Sequence, residues 1–157
     1  MAQLSYNLDQ QVALLGMLAD SRFKNTDSKT ASEAIPAGRA VTIVPATDRV
    51  QVKLPDATDN AIYGIAHFTQ FQEGEMIYPV NSSVNILTQG AVYVWCETAF
   101  NPDTDTLYVR TVAGGAGEEK GQFRNEATNA VAVTGNFSVD SSLSVAGLLK
   151  LVINKPE

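Results

Sequence analysis

His67 and Cys96 are the only histidine and the only cysteine in the chain. A nucleophilic triad or a zinc site would have to begin with one of them. His67 sits in Ile65-Ala66-His67-Phe68, a stretch with strand character, and histidine-based metal sites normally use more than one imidazole. Cys96 falls on an apolar strand face, where a thiol acts as a small hydrophobe; a reactive thiolate would need a cationic or imidazole neighbour. The carboxylate pairs Asp56/Asp59 and Asp103/Asp105 suggest glycosidase or calcium chemistry. Glycosidase carboxylates must face each other across a cleft. The calcium loop requires a longer Asp-x-Asp-x-Asp-Gly spacing and a distal glutamate that are absent here. Both pairs lie in turn-rich sequence, where aspartate is common for local reasons. Gly114-Gly115-Ala116-Gly117-Glu118-Glu119-Lys120-Gly121 is not followed by Gly-Lys-Ser/Thr, and its two glutamates would repel phosphate. The expectation is no catalytic residue, no cofactor-binding residue and no metal ligand.

The stretch the rest of the chain must position runs from Gly90 to Thr111. Gly90–Glu97 and Thr106–Thr111 alternate and are rich in β-branched and aromatic residues, and Asn101-Pro102-Asp103 between them is turn chemistry. The pattern predicts a β-hairpin. Val92, Val94, Cys96, Leu107 and Val109 form its core face. Tyr93, Trp95, Glu97, Tyr108 and Arg110 form the other. Tyrosine, tryptophan and arginine together are enriched at protein interfaces, so Tyr93, Trp95, Tyr108 and Arg110 are candidate interface residues. The competing reading is a sheet face covered by the protein's own loops or by a second sheet.

The 157 residues suffice for one domain with a real core, without a disulfide or metal to hold it. Net charge is −6, so no field gathers nucleic acid or an anionic membrane. Charged residues make up 18%, below the usual quarter, which hints at burial in an assembly. No apolar run approaches a membrane span, and no basic-then-apolar leader opens the chain, so the expectation is synthesis in a cytoplasm.

Along the chain, Asn7–Asp20 is the one helix candidate. Asn7 is its N-cap, Gln10 its capping-box partner, and Leu8, Val12, Leu15 and Ala19 share a face. Gly16 weakens it. Ser21–Pro36 is polar and reads as an extended linker. From Gly38 onward, short apolar runs alternate with turn signals every eight to twelve residues or so, the pattern of an all-β sandwich or barrel. Strands are expected at Arg39–Val44, Arg49–Leu54, Ala61–Phe68, Met76–Val80, Val84–Leu87, Gln122–Arg124, Ala130–Thr134, Phe137–Val139 and Leu148–Asn154.

Several stretches, in order and spacing, resemble one family. They are Gly16-Met17-Leu18-Ala19-Asp20, Ile35-Pro36-Ala37-Gly38-Arg39-Ala40-Val41, and Leu54-Pro55 to Ile62-Tyr63-Gly64-Ile65-Ala66. Gly90-Ala91-Val92-Tyr93-Val94, Leu107-Tyr108-Val109-Arg110 and Gly121-Gln122-Phe123-Arg124 continue the series. Together they resemble the structural cement, or capsid decoration, proteins of tailed bacteriophages, over nearly the whole chain. The resemblance implies a non-enzymatic protein with a single β-barrel or jelly-roll-like body over residues 37–157. Residues 1–36 would then be an extended N-terminal arm and linker containing a short helix. It implies a virion protein, made in the host cytoplasm, that binds the outer surface of an icosahedral head. There it would bridge major capsid protein subunits as a homo-oligomer, a dimer or trimer, with no nucleic-acid or membrane partner. In the arm, Leu8, Val12, Leu15 and Leu18 would supply apolar contact, and Arg22 and Lys24 would meet acidic capsid residues. The alternative is a carbohydrate-binding β-sandwich module on the virion surface, with Trp95 and the tyrosines as a sugar-stacking platform.

Overall fold

The computed structural model describes residues 13–59, 61–68 and 76–154. Among these there is no helix, and twelve strands carry the fold. They are β1 (Asn25–Ala31), β2 (Ile35–Pro36), β3 (Ala40–Ile43), β4 (Gln51–Lys53), β5 (Gly64–Ala66) and β6 (Ile77–Tyr78). After them come β7 (Ser83–Cys96), β8 (Tyr108–Arg110), β9 (Phe123–Arg124), β10 (Ala130–Ala132), β11 (Phe137–Val139) and β12 (Gly147–Ile153).

The pairings close a ring. β1 pairs with β4, β4 with β3, β3 with β5, β5 with β7, and β7 back with β1, giving a five-stranded barrel. The all-β barrel expectation holds. A second sheet runs β11-β12-β7-β9-β8-β10. β7 belongs to both: its first half is a barrel stave, and its second half pairs with β12 from Gly90↔Ile153 to Cys96↔Gly147.

Gly90 lies where the two halves meet. Its φ of +128° lies where side chains are disfavoured, and a Cβ there would come 3.2 Å from that of Lys24. Strict alternation would put all even-numbered residues of β7 on one face. Instead Val84 and Ile86 fill the barrel core with Val41, Val52 and Ala66, whereas Val92, Val94 and Cys96 fill a second core with Val109, Phe123 and Leu149. Leu87 already joins the second core with Ala40 and Ile65, and the register shift that leaves Thr88 as an extra residue opposite β1, just ahead of Gly90, moves the even-numbered residues from one core to the other.

Three expectations need correction. Gly90–Glu97 and Thr106–Thr111 do not form a hairpin, because β9 is inserted between β7 and β8. It pairs parallel to β7 at Cys96↔Phe123 and antiparallel to β8. The turn over 101–105 is present, with Asp105 N–H donating to the Asn101 carbonyl at 2.8 Å, but it spans two strands that are not neighbours. The helix expected over Asn7–Asp20 is absent from 13–20; residues 7–12 lie outside the described residues. After a turn at Gly16, whose φ is +77°, Met17–Ala19 runs along β7. Gly16 and Ala19 donate to the carbonyls of Tyr93 and Ala91 at 2.8 and 2.9 Å, and Tyr93 donates to that of Met17 at 2.9 Å. A short helix containing glycine is marginal alone, and the open edge of β7 offers bonded partners for both chains. Finally, the expected linker Ser21–Pro36 contains β1 and β2, and β1 closes the barrel.

Candidate functional site

The face expected to carry Tyr93, Trp95, Glu97, Tyr108 and Arg110 exists, built across five strands rather than two. Lys150 and Leu148 of β12 stand beside Tyr93 and Trp95. β9 contributes Arg124, directly opposite Tyr108, and Tyr108 faces Ala132 of β10. Opposed residues share a face, so these side chains form one outer surface of the second sheet. Val94, Phe123 and Val109 lie beneath it in the core.

Tyr93, Trp95 and Tyr108 are half-buried. Arg110 is buried: its Nε and Nη2 donate to the two carboxylate oxygens of Glu97 at 2.7 and 2.8 Å. Glu118 comes within 3.2 Å of the same guanidinium, which draws the Gly114–Gly121 loop over this end of the sheet. Arg124 pairs with Glu126. An open cleft lined by Trp95, Glu97, Ala116, Glu118, Arg124 and Ala146 lies between the loop and the sheet. Sequence reasoning missed Arg124, which the Gln122–Arg124 alternation placed on a strand without assigning it a neighbour.

The arm residues separate. Leu8 and Val12 lie outside the described residues. Leu15 packs over Gly38, and Leu18 bridges to Val92 and packs on the second core. Arg22 binds Asp20 at 2.7 Å and Asp140 at 3.4 Å, and Lys150 binds the same two carboxylates at 3.0 and 3.4 Å. Hydrogen bonds from Arg22 and then Lys150 hold the Asp20 carboxyl well below the usual range. Lys24 is exposed beside Gly90. Leu18, Arg22, Tyr93 and Lys150 therefore belong to one region, while Tyr108 and Arg110 lie across β9 from it.

The groups that opened the chemical search are built into the fold. His67 is buried, with Nε2 at 3.2 Å from Thr26 Oγ1, and burial lowers its pKa. Cys96 is buried, and desolvation raises its thiol pKa. Asp59 accepts from the Asp56 amide at 2.8 Å and from Thr42 Oγ1 at 3.2 Å, with Lys53 at 3.3 Å. Asp105 accepts from the Asn101 amide at 2.8 Å. Among the described residues, no three His, Cys, Asp or Glu side chains are grouped to hold a metal ion.

A closed barrel sharing one strand with a second sheet that bears an aromatic and ionic outer face defines an all-β structural module. The family model described as structural cement protein (E217 gp24/Pam3 gp6) matches residues 2–154, and the chain belongs to that family: it is a virion-associated phage protein that works with capsid proteins. Two solved structures share its fold. One is from the capsid of Myoviridae phage XM1, with 18% identity, 97% of this chain and 98% of that chain covered, and a TM-score of 0.71. The other is the N base of head fiber gp8.5 of bacteriophage phi29, with 13% identity, 86% and 99% covered, and a TM-score of 0.51. No curated protein sequence matches.

Proposed function

We propose that this chain is a non-enzymatic decoration protein that binds the outer surface of an icosahedral phage head and stabilises contacts between major capsid protein subunits. Cement-family membership over residues 2–154 carries the reading. The outer face of the second sheet agrees with it: Tyr93 and Trp95 offer rigid, amphipathic contact area, and aromatic anchors dominate binding energy at protein interfaces. The residues ahead of 13, with Leu8 and Val12, are the second proposed contact, while Leu15 and Leu18 anchor the segment on the body. The role of residues 1–12 is to reach past the barrel's own footprint, so that many modest contacts add through effective concentration. Copies sit on the shell as a homo-oligomer.

The test is sedimentation of the purified protein with heads lacking it. Saturable co-sedimentation, with the decorated heads surviving heating that ruptures bare heads, supports the reading. Its absence from the pellet at all ratios refutes it.

A further inference from the structure

The second sheet ends in β10, and no strand lies beyond it among the described residues. Thr111 N–H donates to the Asn129 carbonyl and Val133 N–H to the Leu107 carbonyl, both at 2.9 Å, and Val131 stands opposite Val109. Asn129, Val131 and Val133 therefore turn their main-chain groups toward β8. Ala130 and Ala132, between them, turn theirs the other way. Arg110, opposite Ala130, fits the alternation: its own N–H and carbonyl bond to Gln122 and Gly121, on the β9 side, at 2.8 and 2.9 Å. Among the described residues, no hydrogen bond reaches the N–H and carbonyl groups of Ala130 and Ala132.

An open strand edge is a template for another chain, and edges that stay alone are blunted by lysine, proline, a bulge or an inward charge. Asn129-Ala130-Val131-Ala132-Val133-Thr134 has no charge and no proline, and β10 pairs with β8 without a bulge. Its two outward-bonding residues are alanines, so no long side chain shields the edge. The other end of the sheet differs. β11 runs straight into Asp140, whose carboxylate draws in Arg22 and Lys150, each at 3.4 Å.

We propose that β10 of one copy pairs antiparallel with β10 of a second copy, about a two-fold axis through Val131. The register follows from which groups are free. Ala130 of one copy and Ala132 of the second exchange both main-chain hydrogen bonds, and the symmetric pair does the same. The two Val131 residues face each other in the non-bonded position between them. Alanine flanks Val131 on both sides, so this register satisfies both copies alike, as an isologous contact requires. The contact rests on the reading that copies sit together on a phage head, and it sets how they share one surface. The axis stands perpendicular to the joined sheet, so both outer faces look the same way. Ala132 lies beside Tyr108 on that face, and the aromatic surface of one copy continues across the axis onto the next.

A non-bonded pair brings its Cα atoms to about 4.5 Å, a spacing that a disulfide can span. Cys96 is buried, so an introduced thiol reports alone. Under mild oxidation in concentrated solution, Val131→Cys should form covalent dimers roughly tenfold faster than Ser138→Cys, an exposed site at the opposite end of the sheet. Ala132→Pro removes one outward N–H and no bond to β8, as edge positions tolerate. Added to Val131→Cys, it should keep the melting temperature and abolish the preference. Ala132→Lys, which leaves the main chain intact, should slow the cross-link severalfold. Equal rates for the two cysteine sites overturn the proposal, as does a preference that survives Ala132→Lys in folded protein. If the two sites cross-link equally while Ala132→Pro weakens head binding, β10 pairs with a shell strand and the proposal is overturned. If Val131→Cys shows the preference but the wild-type protein binds no heads, the head-binding reading fails and this contact stands.

Discussion

Arg110 and Glu97 face each other across β9 through two hydrogen bonds of 2.7 and 2.8 Å, with side chains only 5% and 7% exposed. Two charges desolvated to this degree are tolerated because the fork geometry of the guanidinium satisfies both carboxylate oxygens. Arg110 thus acts first on the fold, though its residue type had marked it for an interface. Arg110→Ala leaves Glu97 buried and uncompensated, and should cost about 3–5 kcal/mol of stability. Replacing both partners by Met and Leu should cost much less. Chemical denaturation of Arg110→Met, Glu97→Leu and the double variant checks the difference; a double loss equal to the sum of the two single losses would show that the pair is not coupled.

Gly121 joins the two halves through its backbone. Its carbonyl accepts from Ala40 N–H at 3.0 Å, and its own N–H donates to the Arg110 carbonyl at 2.9 Å. Its φ is +83°, and a Cβ would come 3.1 Å from both Arg39 Cβ and Leu54 Cδ2. Gly121→Ala should cost about 1–2 kcal/mol from the backbone alone, plus whatever the neighbours lose in moving. A melting temperature equal to wild type would show that the junction gives way freely.

Much of the fold was legible in the sequence, because barrel strands obey a period of two. Val84, Ile86, Val92, Val94, Cys96 and Val109 are all buried, as alternation predicts. What alternation cannot give is the partner of each strand. β9 holds only Phe123 and Arg124, too short to announce that it separates β7 from β8. β1 is missed for another reason: Asn-Thr-Asp-Ser-Lys-Thr-Ala has almost no apolar residues, and its pairing with β7 comes from main-chain bonds and from polar partners such as Thr88, whose hydroxyl donates to the Asn25 carbonyl. Residues 13–20, the described part of the apparent helix, show the converse. An apolar period supplied by a few leucines is outweighed where an open strand edge offers backbone partners. On the outer face, Tyr93, Trp95, Tyr108 and Arg110 were identified by type, but only the structure shows that Arg110 is internally satisfied.

Asp20 gives the N-terminal segment a pH dependence. Its carboxyl pKa is lowered by Arg22 and Lys150 in the folded protein. A depressed folded pKa contributes stability above the unfolded value of about 3.9, and that contribution is lost as pH falls through the folded value. Between pH 5 and pH 2 wild type should therefore lose protection of the amides around 17–19 more steeply than Asp20→Asn. Hydrogen exchange followed across that range reads the effect; parallel curves for the two proteins would remove Asp20 from the account.

Tyr93 and Trp95 should matter more for docking than for folding, because their rings lie half-buried on the outer face while the core beneath is filled by Val92 and Val94. Truncating an anchor at the centre of an interface typically costs about 2 kcal/mol or more, roughly thirtyfold in affinity. Trp95→Ala should lower head binding by about that factor and shift the melting temperature little. A large loss of stability, with unchanged binding by the folded fraction, would assign the face to the protein's own interior.

Truncation separates the segment that is proposed to reach the shell from the segment that builds the barrel. Deleting residues 2–12 removes Leu8 and Val12 but leaves Gly16–Ala19 on β7 and all of β1. That protein should fold with a wild-type spectrum and bind heads more weakly, because apolar contacts that add through effective concentration have been lost. Deleting residues 2–30 removes all but the last residue of β1, the strand that links β4 to β7 and closes the ring. It would leave the edges of both neighbours unpaired and expose Val52, Val84 and Ile86 of the barrel core. The longer deletion should therefore be insoluble or unfolded. Full head occupancy by the 2–12 deletion would show that the terminal residues take no part in docking. A soluble, cooperatively folding 2–30 deletion would show that the barrel does not depend on β1 for closure.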